Sequence, residues 1–177
     1  MVYVINIEGK TTNRGIGQKF EQLFRKSVEL NKSYSIIRLK DNSMTQRNGI
    51  WVKLKNNNPC DFIVYNGVNL FYIELKSVKG KSFPLSNLSK EQEEGMYKEA
   101  LKDNGQKGYL IIHFRELNKV VMINILDFIS LKVYLDIKAK KSFNYIEFMS
   151  YGGVEIPLYI PNDKRSNYLD LSKLLHN

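Results

Sequence analysis

The stretch Pro59-Cys60-Asp61-Phe62-Ile63-Val64-Tyr65-Asn66-Gly67-Val68-Asn69-Leu70-Phe71-Tyr72-Ile73-Glu74-Leu75-Lys76 decides how this chain is read. Two runs rich in β-branched and aromatic residues, DFIVY and VNLFYIELK, flank Asn66-Gly67, a pair that tolerates positive φ and so predicts a tight turn between antiparallel strands. Side chains alternate faces along a strand, so Glu74 and Lys76 project together. If the strands pair around the turn, Asp61 comes nearly opposite Glu74, close enough for two carboxylates to share one ion. Mg²⁺ (or Mn²⁺) suits such hard oxygen donors, and the backbone carbonyl of Leu75 offers a third ligand. The ammonium of Lys76 on the same face would orient an attacking water or stabilise charge developing on a phosphate. Taken alone, Glu-x-Lys reads most simply as a salt-linked surface pair. Here the flanking strands are apolar on both faces and read as buried, which turns charged residues at their ends into candidates for chemistry.

Outward from the hairpin, the rest reads as one α/β (α+β) domain spanning 1–177, with no internal repeat or Pro/Gly/Ser-rich linker. Ile16, Phe20, Leu23, Phe24 and Val28 recur at helical spacing after the turn-like TTNRGIG, predicting a first helix over Ile16 to Glu29. Ser35 to Lys40 reads as a short strand. The polar segment Asp41 to Asn58 reads as a loop or flexible hairpin. Ser89-Lys90-Glu91-Gln92 matches a capping box and Asn104-Gly105 a stop, bracketing a helix from about Lys90 to Asp103. GYLIIHF and KVVMINI, joined by a polar Glu116-Leu117-Asn118 turn, predict a second strand pair. Leu126 to Tyr134 is expected to be helical, Phe143 to Met149 extended, and Asp170 to Leu175 a short terminal helix.

Composition narrows the chemistry. With 43% hydrophobic and 12% aromatic residues, 177 residues suffice for a real core. No apolar run approaches the roughly 20 residues that span a bilayer, nor does the N-terminus resemble a secretion signal, so a soluble intracellular protein without membrane partners is expected. A single cysteine, Cys60, and two histidines leave no Cys/His zinc cluster, so any metal sits on oxygen. The excess of 27 Lys+Arg over 18 Asp+Glu, a net charge of +9, favours a polyanionic partner.

Pro59-Cys60-Asp61 followed by Glu74-Leu75-Lys76 resembles the PD-(D/E)xK nuclease superfamily, with one residue inserted between proline and aspartate. A longer ordered match is similar to the RecU-type Holliday junction resolvases and their phage relatives: Asn13-Arg14-Gly15 with Phe20-Glu21, then Asp61, Tyr65-Asn66-Gly67, Glu74, Lys76, Lys81-Ser82-Phe83-Pro84-Leu85 and Gln92. The resemblance covers roughly residues 13–125 and implies a restriction-endonuclease-like core, a central mixed β-sheet flanked by helices. It implies a metal-dependent, structure-selective DNA endonuclease that resolves four-way junctions as a homodimer, with a recombinase as a possible further partner and a cytoplasmic setting in a bacterium or a phage-infected host.

Residue by residue, the resemblance makes Asp61 and Glu74 metal ligands, Lys76 the catalytic lysine, Glu21 an accessory acid from the first helix, and Gln92 a positioner of water or substrate. Each of the last two also has a local reading: Glu21 could pair with Arg25 at i,i+4, and Gln92 could simply complete the capping box. The stalk that RecU-type enzymes carry before the hairpin is reduced here to the short segment 41–58. Arg14, Arg47, Lys53, Lys79, Lys81 and Lys90 are the candidate DNA contacts. Two other readings stand beside junction resolution: a general phage or restriction-type nuclease, and a non-catalytic DNA-binding regulator of the same fold.

Overall fold

A computed structural model describes residues 13–39, 44–47, 50–53, 58–102, 104–159 and 167–175. Its centre is a six-stranded sheet in the order β1-β4-β5-β7-β8-β10. These strands are β1 (Ser35–Arg38), β4 (Phe62–Tyr65), β5 (Leu70–Val78), β7 (Gln106–Phe114), β8 (Lys119–Asn124) and β10 (Val154–Ile156). β5 and β7 run parallel and every other neighbouring pair is antiparallel. A parallel pair needs a long crossover. It is supplied by β6 (Ser82–Pro84), a 3-10 turn over Leu85–Asn87 and helix α2 (Lys90–Ala100).

The sheet is covered on both faces, which explains why its middle strands read as nearly continuous apolar runs. On one face, Phe20, Phe24 and Val28 of α1 (Asn13–Glu29) and Leu174 and Leu175 of the short α5 (Ser172–Leu175) pack with Phe62, Val64, Phe71, Ile73, Leu75 and Ile111. On the other, Met96 of α2, Phe128, Leu131 and Leu135 of α3 (Ile125–Ile137) and Phe148 of α4 (Tyr145–Ser150) pack with Leu110, Ile112, Val121 and Ile123. The assignment of a mixed sheet flanked by helices is thus the observed architecture.

The hairpin forms as its sequence predicts, with register Phe62↔Ile73 through Tyr65↔Leu70. Its connection is the four residues 66–69: Gly67 takes φ 97°, and the Asn66 side-chain oxygen accepts the amides of Val68 and Asn69 at 3.0 and 2.7 Å. The first helix runs from Asn13, so Asn13 to Gly17 of the segment read as turn-like lie within it. α2 ends at Ala100, where the Leu101 amide closes the last turn on Tyr97. Of the loop and hairpin alternatives for 41–58, the described residues show a hairpin pairing, β2 (Met44–Arg47) with β3 (Ile50–Lys53) in a sheet of its own.

The extended reading of Phe143 to Met149 is corrected. Only β9 (Ser142–Asn144) is extended, and α4 begins immediately after it. Asn144 caps α4, accepting the Glu147 amide at 3.0 Å while the Glu147 carboxylate accepts the Asn144 amide at 3.0 Å. This Asn-x-x-Glu box outweighs the strand propensity of the aromatic residues around it. Also unforeseen are β10, the small pair β11 (Leu158–Tyr159) and β12 (Tyr168–Leu169), and the pairing of β6 with β9.

Candidate active site

The register that puts Phe62 against Ile73 puts Asp61 against Glu74, one step beyond the ladder. The Asp61 amide continues the pairing by donating to the Ile73 carbonyl at 3.1 Å. The Asp61 carboxylate then turns along the neighbouring strand, where Oδ2 accepts the Leu75 amide at 2.9 Å. Asp61, the side chain of Glu74 and the backbone of Leu75 are therefore gathered at one point by strand pairing alone.

Ile73 and Leu75 point into the core under α1, so Glu74 and Lys76 face the α2 side. There Glu74 is fully buried. Its Oε1 receives two donors, Lys76 Nζ at 2.5 Å and Gln92 Nε2 at 2.6 Å. Its Oε2 is buried with no hydrogen-bond partner among the described residues. Burial, and after it the nearby negative charge of Asp61, pushes the Glu74 carboxyl up to about 8, against the downward pull of Lys76 and Gln92. Two carboxylates that repel each other, one with an orphaned buried oxygen, form the kind of donor set that fits a hard divalent cation. Among the described residues no group of three or more His, Cys, Asp or Glu side chains is placed to hold a metal ion. A cation would therefore complete its shell from backbone oxygen and water.

Cys60 belongs to the frame rather than the chemistry. Its buried thiol donates to the Phe62 carbonyl at 3.1 Å, and burial followed by the charge of Glu74 pushes it up to about 12. A thiol so protonated is neither nucleophile nor soft metal ligand.

Gln92 completes the capping box and also touches Glu74 and Lys76. Its backbone amide donates to Ser89 Oγ at 3.2 Å, and its side-chain Oε1 accepts the Ser89 amide at 3.2 Å. The same Oε1 accepts Lys76 Nζ at 3.3 Å while Nε2 reaches Glu74. The capping geometry of α2 thus holds the carboxamide between the acid and the amine. α2 is seated by Gly95, where a Cβ would stand 2.6 Å from the Pro59 Cβ and 2.9 Å from its Cα. No local sequence signal marks that contact.

Glu21 lies on α1, across the sheet from Gln92, and its carboxylate is taken by Arg38 of β1 at 2.8 Å. Arg25 pairs with Glu29 at 2.8 Å, the i,i+4 partner on its other side. Lys79 and Lys81 are exposed on the loop after β5, and Lys90 is exposed at the start of α2, 3.6 Å from Glu94. The side chains of Arg14, Arg47 and Lys53 lie outside the described residues. Sequence reading overlooked His113 of β7, which is buried beside Phe20 at 5.3 Å between ring centroids, with both ring nitrogens unpartnered among the described residues.

The family model described as recombination protein U matches residues 17–173 of the chain. No curated protein matches it. A solved structure similar to it is that of Hjc, a Holliday junction resolvase from the archaeal hyperthermophile Archaeoglobus fulgidus, at 20% identity and a TM-score of 0.49, covering 78% of this chain and 95% of that one.

Proposed function

We propose, from the premise that this chain belongs to the recombination protein U family, that it is an endodeoxyribonuclease resolving four-way DNA junctions in homologous recombination and repair. The observation that carries the catalytic reading is the convergence of Asp61, Glu74, Lys76 and Gln92 around one buried carboxylate.

Asp61 and Glu74 would hold a divalent cation, Mg²⁺ or Mn²⁺, and the Leu75 carbonyl would supply a further oxygen. When bound, such an ion neutralises phosphoryl charge and lowers the pKa of water near the scissile bond. Lys76, held beside Glu74, orients the attacking water or balances the charge that grows on the phosphate. Gln92 keeps the Lys76 ammonium and the Glu74 carboxylate in fixed relation, so neither must reorganise as the reaction proceeds. Lys79, Lys81 and Lys90 contact the DNA backbone around the site, joined by Arg14, Arg47 and Lys53. Glu21, held by Arg38 on the α1 face of the sheet, is left out of the proposed step.

Resolution needs two cuts in symmetry-related strands, which calls for a two-fold homodimer with two sites. No helix among the described residues is long and apolar enough to cross a membrane. The setting we assign is the cytoplasm of a bacterium or phage-infected host, with a recombinase as a further partner.

The test is cleavage of a synthetic four-way junction with Mg²⁺. The parent is expected to cut two opposed strands symmetrically and to spare linear duplex. Asp61→Asn and Glu74→Gln should lose cleavage by about 10²-fold or more while still binding the junction. Equal cleavage by parent and variants removes the site assignment, and equal cutting of linear duplex moves the protein to the general nucleases.

A further inference from the structure

The crossover from β5 to α2 does not end alone. β6 within it pairs antiparallel with β9, Ser82 against Asn144 and Pro84 against Ser142. The Leu85 amide extends the pairing by donating to the Lys141 carbonyl at 2.9 Å. Leu85 opens the 3-10 turn that leads through Leu88 to Ser89, the cap that holds Gln92 against Glu74 and Lys76. The segment that ends at Lys141, 65 residues downstream of Lys76, is therefore stitched to the approach of the candidate active site.

That segment is Lys138-Ala139-Lys140-Lys141, and all four residues are exposed. It is also rigidly shaped. α3 ends in a Schellman motif: the Lys140 amide donates to the Leu135 carbonyl at 2.9 Å and the Ala139 amide to Asp136 at 3.0 Å, with Ala139 itself left-handed at φ 53°. An alanine in that conformation is strained relative to glycine, and the motif holds nonetheless. Of the three lysines, Lys140 is neutralised by an ion pair with Glu147. Lys138 reaches over the Tyr134 ring, 5.9 Å from its centroid. Lys141 has no ion pair among the described residues.

We infer that Lys138 and Lys141 form a second contact with the DNA phosphate backbone, on the β9 side of the site, so that substrate is held there as well as by Lys79, Lys81 and Lys90. The inference rests on the nuclease reading above and extends it to a surface that no motif marks. A loop shaped by these backbone bonds suits this task, because less backbone entropy is lost when phosphates are bound. Placement beside the crossover suits it too, since Leu85, whose amide closes on the Lys141 carbonyl, leads within four residues to the cap of Gln92.

Lysines at a helix C-terminus also offset the helix dipole, and a stability role of that kind predicts a different result. The experiment titrates a fluorescent four-way junction with full-length protein carrying Asp61→Asn, in Mg²⁺, across a series of salt concentrations. Lys138→Gln with Lys141→Gln is expected to weaken binding and to flatten the slope of log K against log salt by about 0.9 for each phosphate contact removed. Lys98→Gln with Lys102→Gln, which removes the same charge near the far end of α2, should leave the slope unchanged. Lys138→Arg with Lys141→Arg should restore it.

An unchanged slope in the Lys138/Lys141 glutamine variant overturns the inference, whether or not urea unfolding shows a loss of stability. A slope equally flattened by the Lys98/Lys102 variant overturns it as well, since net charge would then be the cause. Failure of the nuclease reading looks different: the parent would neither bind nor cut the junction.

Discussion

At the scale of single residues, the site depends on the position of one carboxamide. Gln92 serves a helix cap and two catalytic candidates with the same two atoms, so its replacement separates the roles. Glutamate also completes a capping box, hence Gln92→Glu keeps α2 capped but exchanges the donor facing Glu74 for a second acid. Junction cleavage is expected to fall by about 10- to 100-fold, the usual cost of losing a group that orients catalytic residues. A parental rate in this variant would reduce Gln92 to a cap. His113 reports on the opposite face. Burial, and secondarily the charge of Arg115, lowers it to about 4 from its ordinary 6.5. Its neutral form is therefore favoured by folding. The resulting stability is present in full above pH 6.5 and is lost as pH falls towards 4, by about 1.4 kcal/mol per pH unit within that window. His113→Phe, which keeps a ring beside Phe20, should abolish this acid sensitivity in urea titrations run at pH 4.5 and 7, and persistence of the full pH dependence would exclude His113 as its source.

Among elements, α2 and the segment Pro59-Cys60-Asp61 act as one unit. Gly95 is the only residue type that lets the helix lie this close, because any Cβ there meets the Pro59 backbone. Gly95→Ala is expected to destabilise by about 1–3 kcal/mol despite the better helix propensity of alanine, and to lower cleavage by shifting Asp61 away from the Leu75 amide. An alanine variant with raised stability and parental activity would show that the close approach is immaterial. The elements also mark where sequence pattern succeeds and fails. Ser89-x-x-Gln92 is a legible start for α2 because capping is local chemistry, and the Asn66-Gly67 turn is legible for the same reason. The break of Phe143 to Met149 into strand and helix was equally local, written in Asn144 and Glu147, but hidden by the aromatic residues Phe143, Tyr145 and Phe148 around them.

For the molecule as a whole, the two cores on either side of the sheet hold β5 so deeply that Glu74 has no solvent of its own. An ion that binds the folded protein and not the unfolded chain stabilises it by RT ln(1 + [L]/Kd), about 2.7 kcal/mol at a hundredfold excess over Kd. Mg²⁺ or Mn²⁺ should therefore raise the unfolding temperature of the parent and leave that of Asp61→Asn or Glu74→Gln nearly unmoved. A shift that survives in both variants would locate the cation elsewhere. The dimer expected of a resolvase is checked by sedimentation, as two 20.7 kDa chains at micromolar concentration.

The amino-acid sequence by itself marked the hairpin, the shared face of Glu74 and Lys76, and Asp61 near the opposite end, while the four-residue connection 66–69 set the register that brings Asp61 against Glu74. Strand alternation and turn chemistry act over a few residues, so they can be read without knowing what packs around them. Only the tertiary structure decided that Glu74 is wholly enclosed, that Gln92 reaches it, that Gly95 seats against Pro59, and that Lys138 and Lys141 stand beside the crossover. Each of these depends on the parallel pairing of β5 with β7 or of β6 with β9. Partners that meet only after a long loop closes leave no periodic trace in the chain that joins them.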